Sequence, residues 1–181
     1  KANKANKYSE AVALLKETEF YPHNLGEGKL SNAEENEVDY YKGIAYQKLC
    51  NDAESTKYLM KATQGSTEPQ QAFYYNDQQP DKIFYQGLAW RALGEENKAR
   101  SRFNKLIDHG KKHLFDDCKI DSFAVSLPEL AIWEDNLNIR NKIHCYYVMA
   151  LGYSGLGKEE LAEEYYEKVK RLDVNKQVFR M

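Results

Sequence analysis

The sequence predicts an all-α fold of antiparallel helix pairs stacked side by side, with two helical inserts. Three observations carry that expectation. First, one set of landmarks recurs three times: Tyr40-Tyr41-Lys42-Gly43-Ile44-Ala45-Tyr46 before Leu49-Cys50-Asn51, Phe84-Tyr85-Gln86-Gly87-Leu88-Ala89-Trp90 before Leu93-Gly94-Glu95, and Tyr147-Val148-Met149-Ala150-Leu151-Gly152-Tyr153 before Leu156-Gly157-Lys158. Second, each leads into residues of helical period: Ser55, Leu59 and Ala62, then Ala99, Phe103 and Leu106, then Ala162, Tyr166 and Val169. Nineteen residues separate Gly43, Gly87 or Ala150 from the last of its set each time. Third, 181 residues with 42% hydrophobic and 30% charged content are not a disordered composition. Folding a chain of this length removes roughly 70% of its extended surface from water, enough for a real core.

Taken in order, residues 1–22 read as the second helix of a unit whose first helix is missing, from Ser9-Glu10-Ala11 with Leu14, Leu15 and Thr18. Three hairpins follow at 36–63, 80–108 and 143–172. In each, the small residue Gly43, Gly87 or Ala150 lets two helix backbones approach closely. Gly94 and Gly157 fall where a helix must stop and turn through a left-handed backbone, which glycine adopts cheaply. Cys50 takes that place in the first hairpin, where the turn is expected to be less tightly specified. In the last helix Leu161, Tyr165, Val169 and Leu172 form one stripe at helical spacing. The inserts are 64–79 and 109–142. Thr67-Glu68-Pro69 signals a short helix with proline in its first turn, and Ser126-Leu127-Pro128-Glu129 reads as a capping box before Leu130-Ala131-Ile132-Trp133. A structureless loop longer than about 15 residues would be unusual in a compact domain, so the inserts are expected to pack on the hairpins. The chain does not open on methionine and no polar capping helix closes it, so both ends read as internal to a longer protein.

The landmarks resemble the tetratricopeptide repeat, with its W-x2-L-G-x2-Y and A-x3-F pattern. The second hairpin is most similar, with Gly87, Trp90, Gly94, Ala99 and Phe103. Lys42 and Gln86 depart from the leucine usual at their position, and Val174 stands near the customary proline. The resemblance covers about half the chain and implies a solenoid with a right-handed superhelical twist. The runs Tyr75-Asn76-Asp77-Gln78-Gln79-Pro80 and Phe103-Asn104-Lys105-Leu106-Ile107-Asp108 also resemble the repeat region of large bacterial proteins. Those proteins carry an upstream β-rich, carbohydrate-associated domain and are linked to glycosyl hydrolases.

Charge and motifs exclude more than they assign. The 26 basic against 28 acidic residues give a formal net charge of −2, which argues against nucleic-acid binding through a basic face. His144 to Gly157, 14 uncharged residues with three glycines, is too short to cross a bilayer, so no membrane partner is expected. No signal peptide is recognisable in residues 1–7. Cys50, Cys118 and Cys145 suit neither a disulfide framework nor a structural zinc site, and a reducing, cytoplasmic setting fits them. Gly152-Tyr153-Ser154-Gly155-Leu156-Gly157-Lys158 approaches a phosphate-binding loop. Glu159 replaces the required Ser or Thr and the context is helix–turn–helix, so it reads as a hairpin turn.

Four further constellations read as ordinary surface or packing. His109 and His113 share a helix face, with Asp116, Asp117 and Cys118 following, but Gly110 is expected to end or weaken that helix. His144 and Cys145 are neighbours on a helix and point about 100° apart, which does not suit a nucleophile and its base. The pairs Glu34/Glu35, Glu95/Glu96 and Glu159/Glu160 suit helix starts. Glu129 and Glu134 beside Trp133 have no spacing that defines a glycosidase pair. No cofactor, metal or catalytic residue is assigned.

The candidate site is the face that the first helices present to the concave side in the repeat family. It comprises Tyr40, Phe84 and Tyr147, then Ile44, Leu88 and Leu151 one turn on, with Gln47, Arg91 and Ser154 beyond and Glu37, Asp81 and His144 one turn earlier. The Lys and Asn of a terminal-carboxylate clamp are absent. The face is either an open groove with aromatic anchors or one covered by the 109–142 insert or a second copy in a homodimer, and the rarity of large exposed apolar patches favours coverage. Most tyrosines, including Tyr46, Tyr153 and Tyr166, read as packing residues. The expected function is a non-catalytic interaction or scaffold module of a larger protein. It would bind a peptide, a partner protein or a neighbouring domain through Tyr40, Ile44, Gln47, Phe84, Leu88, Arg91, Tyr147 and Leu151. The closer resemblance implies an alternative, an accessory helical segment of a carbohydrate-processing multidomain enzyme.

Overall fold

The computed structural model describes residues 7–20, 28, 34–71, 78–118 and 136–173. Among these residues the structure is all-helical, with seven helices and no strand: α1 (Tyr8–Glu17), α2 (Asn36–Lys48), α3 (Asp52–Ala62), α4 (Pro80–Ala92), α5 (Glu96–His113), α6 (Leu137–Gly155) and α7 (Glu159–Leu172). Tight turns join α2 to α3, α4 to α5 and α6 to α7. Each pair packs on itself, while α4 touches α2 and α6, and α3 and α5 each pack on the first helix of the next pair.

The three turns are closed by the same bonds. The amides of Cys50, Gly94 and Gly157 donate to the carbonyls of Gln47, Arg91 and Ser154; those of Asn51, Glu95 and Lys158 donate to Tyr46, Trp90 and Tyr153. This is the 6→1 and 5→2 closure that satisfies the last carbonyls of a helix around a left-handed residue. Gly94 and Gly157 have φ of 82° and 70°, and Cys50 has φ of 56°. The first turn is therefore specified as tightly as the others, contrary to the expectation from its cysteine. Geometry is imposed there by the helices on either side and by Asn51, whose side chain accepts from the Glu54 amide to cap α3.

The small-residue positions also match. A Cβ on Gly43 would collide with the side chain of Leu59, and one on Gly87 with the ring of Phe103, sixteen residues further on in both cases. Ala150, the third of the set, is fully buried. Tyr46 stacks on Tyr58 at 5.5 Å and Tyr153 on Tyr165 at 5.4 Å, again at one common offset. One apolar core runs through α4 to α7, centred on Ile83, Phe103, Leu106, Val148, Met149 and Val169; a smaller one joins Leu59, Ala62 and Ala89.

Several local expectations are corrected. Gly110 does not end α5, because its bare backbone lets the Cys145 carbonyl of α6 approach; a Cβ would sit 2.6 Å from that oxygen. Thus 109–113 belong to α5 and 137–142 to α6, while 119–135, which hold the expected capping box and Glu129, Trp133 and Glu134, lie outside the described residues. Thr67-Glu68-Pro69 is not helical. The carbonyls of Gln64 and Ser66 are taken by the Gln86 amide, and Lys105 ties Thr67 and Glu68 to α5, so these residues cannot form the i→i−4 ladder. On α7 the buried line is Ala162, Tyr166 and Val169, whereas Leu161 and Leu172 are 38% and 42% exposed.

Lys42 and Gln86 occupy a fully buried position where an apolar side chain would be usual. Both reach back to the chain leaving the preceding helix. Lys42 Nζ pairs with Glu19 after α1, and Gln86 Nε2 donates to Gln64 and Ser66 after α3 while its Oε1 accepts from Arg102. Met149 fills the same place in the third pair with apolar contact alone.

Candidate functional site

The first helices α2, α4 and α6 enclose, with Tyr166 of α7, a pocket of about 360 Å³. Glu37 and Tyr41 contribute from one face of α2, a turn apart, and Asp81 and Tyr85 from the equivalent face of α4. Phe84, Tyr147, Leu151 and Ser154 complete the lining. Helical period explains the set: residues four apart stack along one side of a helix. Volume and lining are those of a ligand pocket, mostly aromatic with a few polar groups.

The aromatic rings brace one another. Tyr85 lies 5.7 Å from Tyr40, 5.6 Å from Tyr41 and 5.8 Å from Phe84, and the hydroxyls of Tyr41 and Tyr85 share a hydrogen bond of 3.2 Å. Tyr147 is 6.4 Å from Tyr166. Burial pushes the phenols of Tyr85 and Tyr147 well above their usual range, and that of Tyr166 up to about 12. All three are neutral hydroxyls at physiological pH.

The two carboxylates differ. Glu37 is held by Lys82, whose Nζ donates to both of its oxygens at 2.8 and 2.7 Å. Asp81 has no cation at ion-pair distance among the described residues. Burial raises its carboxyl above the usual aspartate value, opposed by Lys82 and by hydrogen bonds from the backbone amides of Asp81 and Lys82. Its negative field in turn helps hold the Tyr85 and Tyr147 phenols neutral.

Of the expected binding residues, Phe84, Tyr147 and Leu151 line this pocket as nearly buried side chains of its floor. Tyr40 and Ile44 instead pack on the small core with Leu59, Ala62 and Ala89. Leu88 packs half-buried on the main core. Gln47 is exposed; Arg91 is exposed too, paired with Glu96 and lying 5.0 Å over the Phe103 ring. The structure therefore splits the expected stripe into two packing sites and one pocket. Glu37, Asp81 and Ser154, expected to flank the face, line the pocket itself. Tyr41, Tyr85 and Tyr166 were the residues missed. Tyr41 and Tyr85 are legible as one tyrosine repeated at the same place in two hairpins. Tyr166 reads as pure packing because it is also core.

His144 does not share that face. It is buried against α5, its ring 5.9 Å from His109, with Nε2 2.7 Å from the Gln70 carbonyl oxygen. His109 and His113 lie 4.6 Å apart, and His113 Nδ1 meets Asp116 at 2.6 Å. His109 Nε2 is buried without a hydrogen-bond partner, and burial followed by the neighbouring His113 lowers its imidazole to about 4. Among the described residues no group of three or more His, Cys, Asp or Glu is arranged to hold a metal ion. Cys145 is fully buried, which pushes its thiol up to about 12, so it is a packed thiol rather than an activated one. The glycines of the phosphate-loop-like run are spent on packing, Gly152 and Gly155 against α5 and Gly157 in the turn. No described helix is long and apolar enough to cross a membrane.

Compared with known proteins, the chain matches no family model, and no solved structure matches it significantly.

Proposed function

We propose that the chain is a tetratricopeptide-like array acting as a non-catalytic interaction module of a larger protein, binding a partner polypeptide through the pocket face of α2, α4 and α6. Three turns with one hydrogen-bond pattern, and glycines meeting the residue at one common offset, support the repeat reading. The observation that carries the functional reading is the aromatic pocket itself, built from equivalent residues of successive first helices. Such aromatic anchors are what interfaces use. Three free thiols, Cys50, Cys118 and Cys145, suit a reducing, cytoplasmic setting.

A displayed library of random peptides, selected on the wild-type protein, tests this. Selected peptides should lose at least tenfold in affinity against Tyr41→Ala and Tyr85→Ala, with both variants checked for an unchanged helical signal. Peptides indifferent to both changes would remove the pocket from the binding surface. Oligosaccharides that quench tyrosine fluorescence where no peptide is selected would favour the accessory segment of a carbohydrate-processing enzyme instead.

A further inference from the structure

The geometry points to a specific occupant: the pocket between α2, α4 and α6 takes one organic cation, the ammonium end of a lysine side chain carried by the partner polypeptide. This rests on the reading of that face as the binding surface and adds what it selects.

Two carboxylates face the cavity, and one built-in cation, Lys82, is fixed by both oxygens of Glu37. Asp81 is left partly withdrawn from water, with no cation at ion-pair distance among the described residues. A buried charge without a partner is costly, and a single incoming positive group relieves that cost.

Aromatic rings supply the second term. Tyr41, Phe84, Tyr85, Tyr147 and Tyr166 bound the cavity, and the quadrupole of each ring attracts a cation over its face, most strongly where water is excluded. The phenols of Tyr85, Tyr147 and Tyr166 stay neutral in this site, so their hydroxyls add dipoles without competing charge.

Lysine fits better than arginine for a stereochemical reason. The backbone amides at the start of α4 already favour the Asp81 carboxylate, so a single further positive charge completes its surroundings. A guanidinium fork favours an unencumbered carboxylate that it can grip with two parallel bonds, whereas an ammonium is a point charge content with one. The four methylenes of a lysine would lie along Phe84 and Leu151.

The test uses the whole chain and three probes: Ac-Gly-Lys-Gly-amide, the same tripeptide with norleucine for lysine, and pentylamine. Binding is read from the tyrosine ring resonances by NMR. The lysine peptide should bind at least tenfold more tightly than the norleucine peptide, and more tightly than pentylamine. Asp81→Asn, which keeps size and helix start, should erase at least fivefold of that preference. Lys82→Met, which frees Glu37, should increase it. Equal binding of the two peptides would overturn the cation while leaving a peptide-binding pocket in place. Tighter binding of pentylamine would overturn the polypeptide source. Absence of any ring shift at Tyr85 or Tyr147 would overturn the inference, and the display selection would then judge the wider reading separately.

Discussion

Gly152 of α6 lies directly on the main chain of Phe103 in α5: a Cβ there would sit 2.6 Å from the Phe103 carbonyl oxygen and 2.6 Å from Ile107 Cγ1. Gly110 returns the contact from α5, against the Cys145 carbonyl. The two helices are thus interlocked by glycines at both ends of their crossing. This crossing aligns the main core, on which Tyr147 and Leu151 depend.

Gly152→Ala should consequently destabilise the fold. Mid-helix, alanine is intrinsically preferred to glycine by about 1 kcal/mol, so a gain would be expected if the site were open. The obstacle here is a backbone oxygen, which cannot rotate away, and overpacking of this kind costs about 1–3 kcal/mol. Urea denaturation should show a lower midpoint with an unchanged slope. A raised midpoint would mean that α5 and α6 are not held at this distance.

Cys50→Gly should do the opposite. A non-glycine residue in the left-handed region costs roughly 1–2 kcal/mol, and glycine gives back part of the relief through greater freedom in the unfolded chain. The net expectation is a gain of about 0.5–1 kcal/mol, read as a higher melting temperature. Gly94→Ala and Gly157→Ala, which have open space around a Cβ but φ of 82° and 70°, should each lose a similar amount. If the three changes do not follow this pattern, the turns are not equivalent.

Much of this architecture was legible because it is local. The helical periods, the turn glycines and the common offsets are set by backbone geometry within one hairpin. What the sequence hid depends on segments far apart. Gly110 looks like a helix breaker until the Cys145 carbonyl arrives from α6. Thr67-Glu68-Pro69 looks like a helix start until Gln86 and Lys105 claim its surroundings. For the site, Phe84, Tyr147 and Leu151 were placed by register. Tyr40 was expected on the site in place of Tyr41, because one residue of rotation about α2 decides which lines the pocket and which joins the small core. His144, six residues before Ala150 as Glu37 and Asp81 are before Gly43 and Gly87, turned the other way to meet His109.

Lys42 and Glu19 make a test of how polar positions act in the helix-pair core. Removing the charge of Glu19 by Glu19→Gln leaves Lys42 as a buried cation without its partner and should cost about 2–3 kcal/mol, less than a fully enclosed pair because Glu19 is one-third exposed. Lys42→Leu in the Glu19→Gln background should recover most of that loss, since apolar replacements of buried pairs are near neutral or stabilising by about 1–4 kcal/mol. Thermal melts of the two single variants and the double variant measure the coupling. Additive effects would show that the contact contributes nothing of its own.

His109 should make stability fall on mild acidification. Its imidazole titrates at about 4 in the folded chain against an ordinary 6.5, because burial, then the charge of His113 and that of Lys112, outweigh the attraction of Asp116. His144 adds another imidazole from α6, at 5.9 Å. The unfolded chain therefore takes up a proton at His109 at a higher pH than the folded chain does. The stability gained by keeping the ring neutral is complete above about pH 6.5 and is lost progressively as the pH falls to about 4. Discounted for solvent screening of a group only part-buried, the loss is on the order of 2 kcal/mol. His109→Gln keeps a polar group and abolishes the titration. Its denaturation midpoint should decline less than that of the wild type between pH 7 and pH 4, while carboxylates elsewhere affect both alike. Parallel declines would show that His109 titrates the same way folded and unfolded, and would remove it as a source of acid sensitivity.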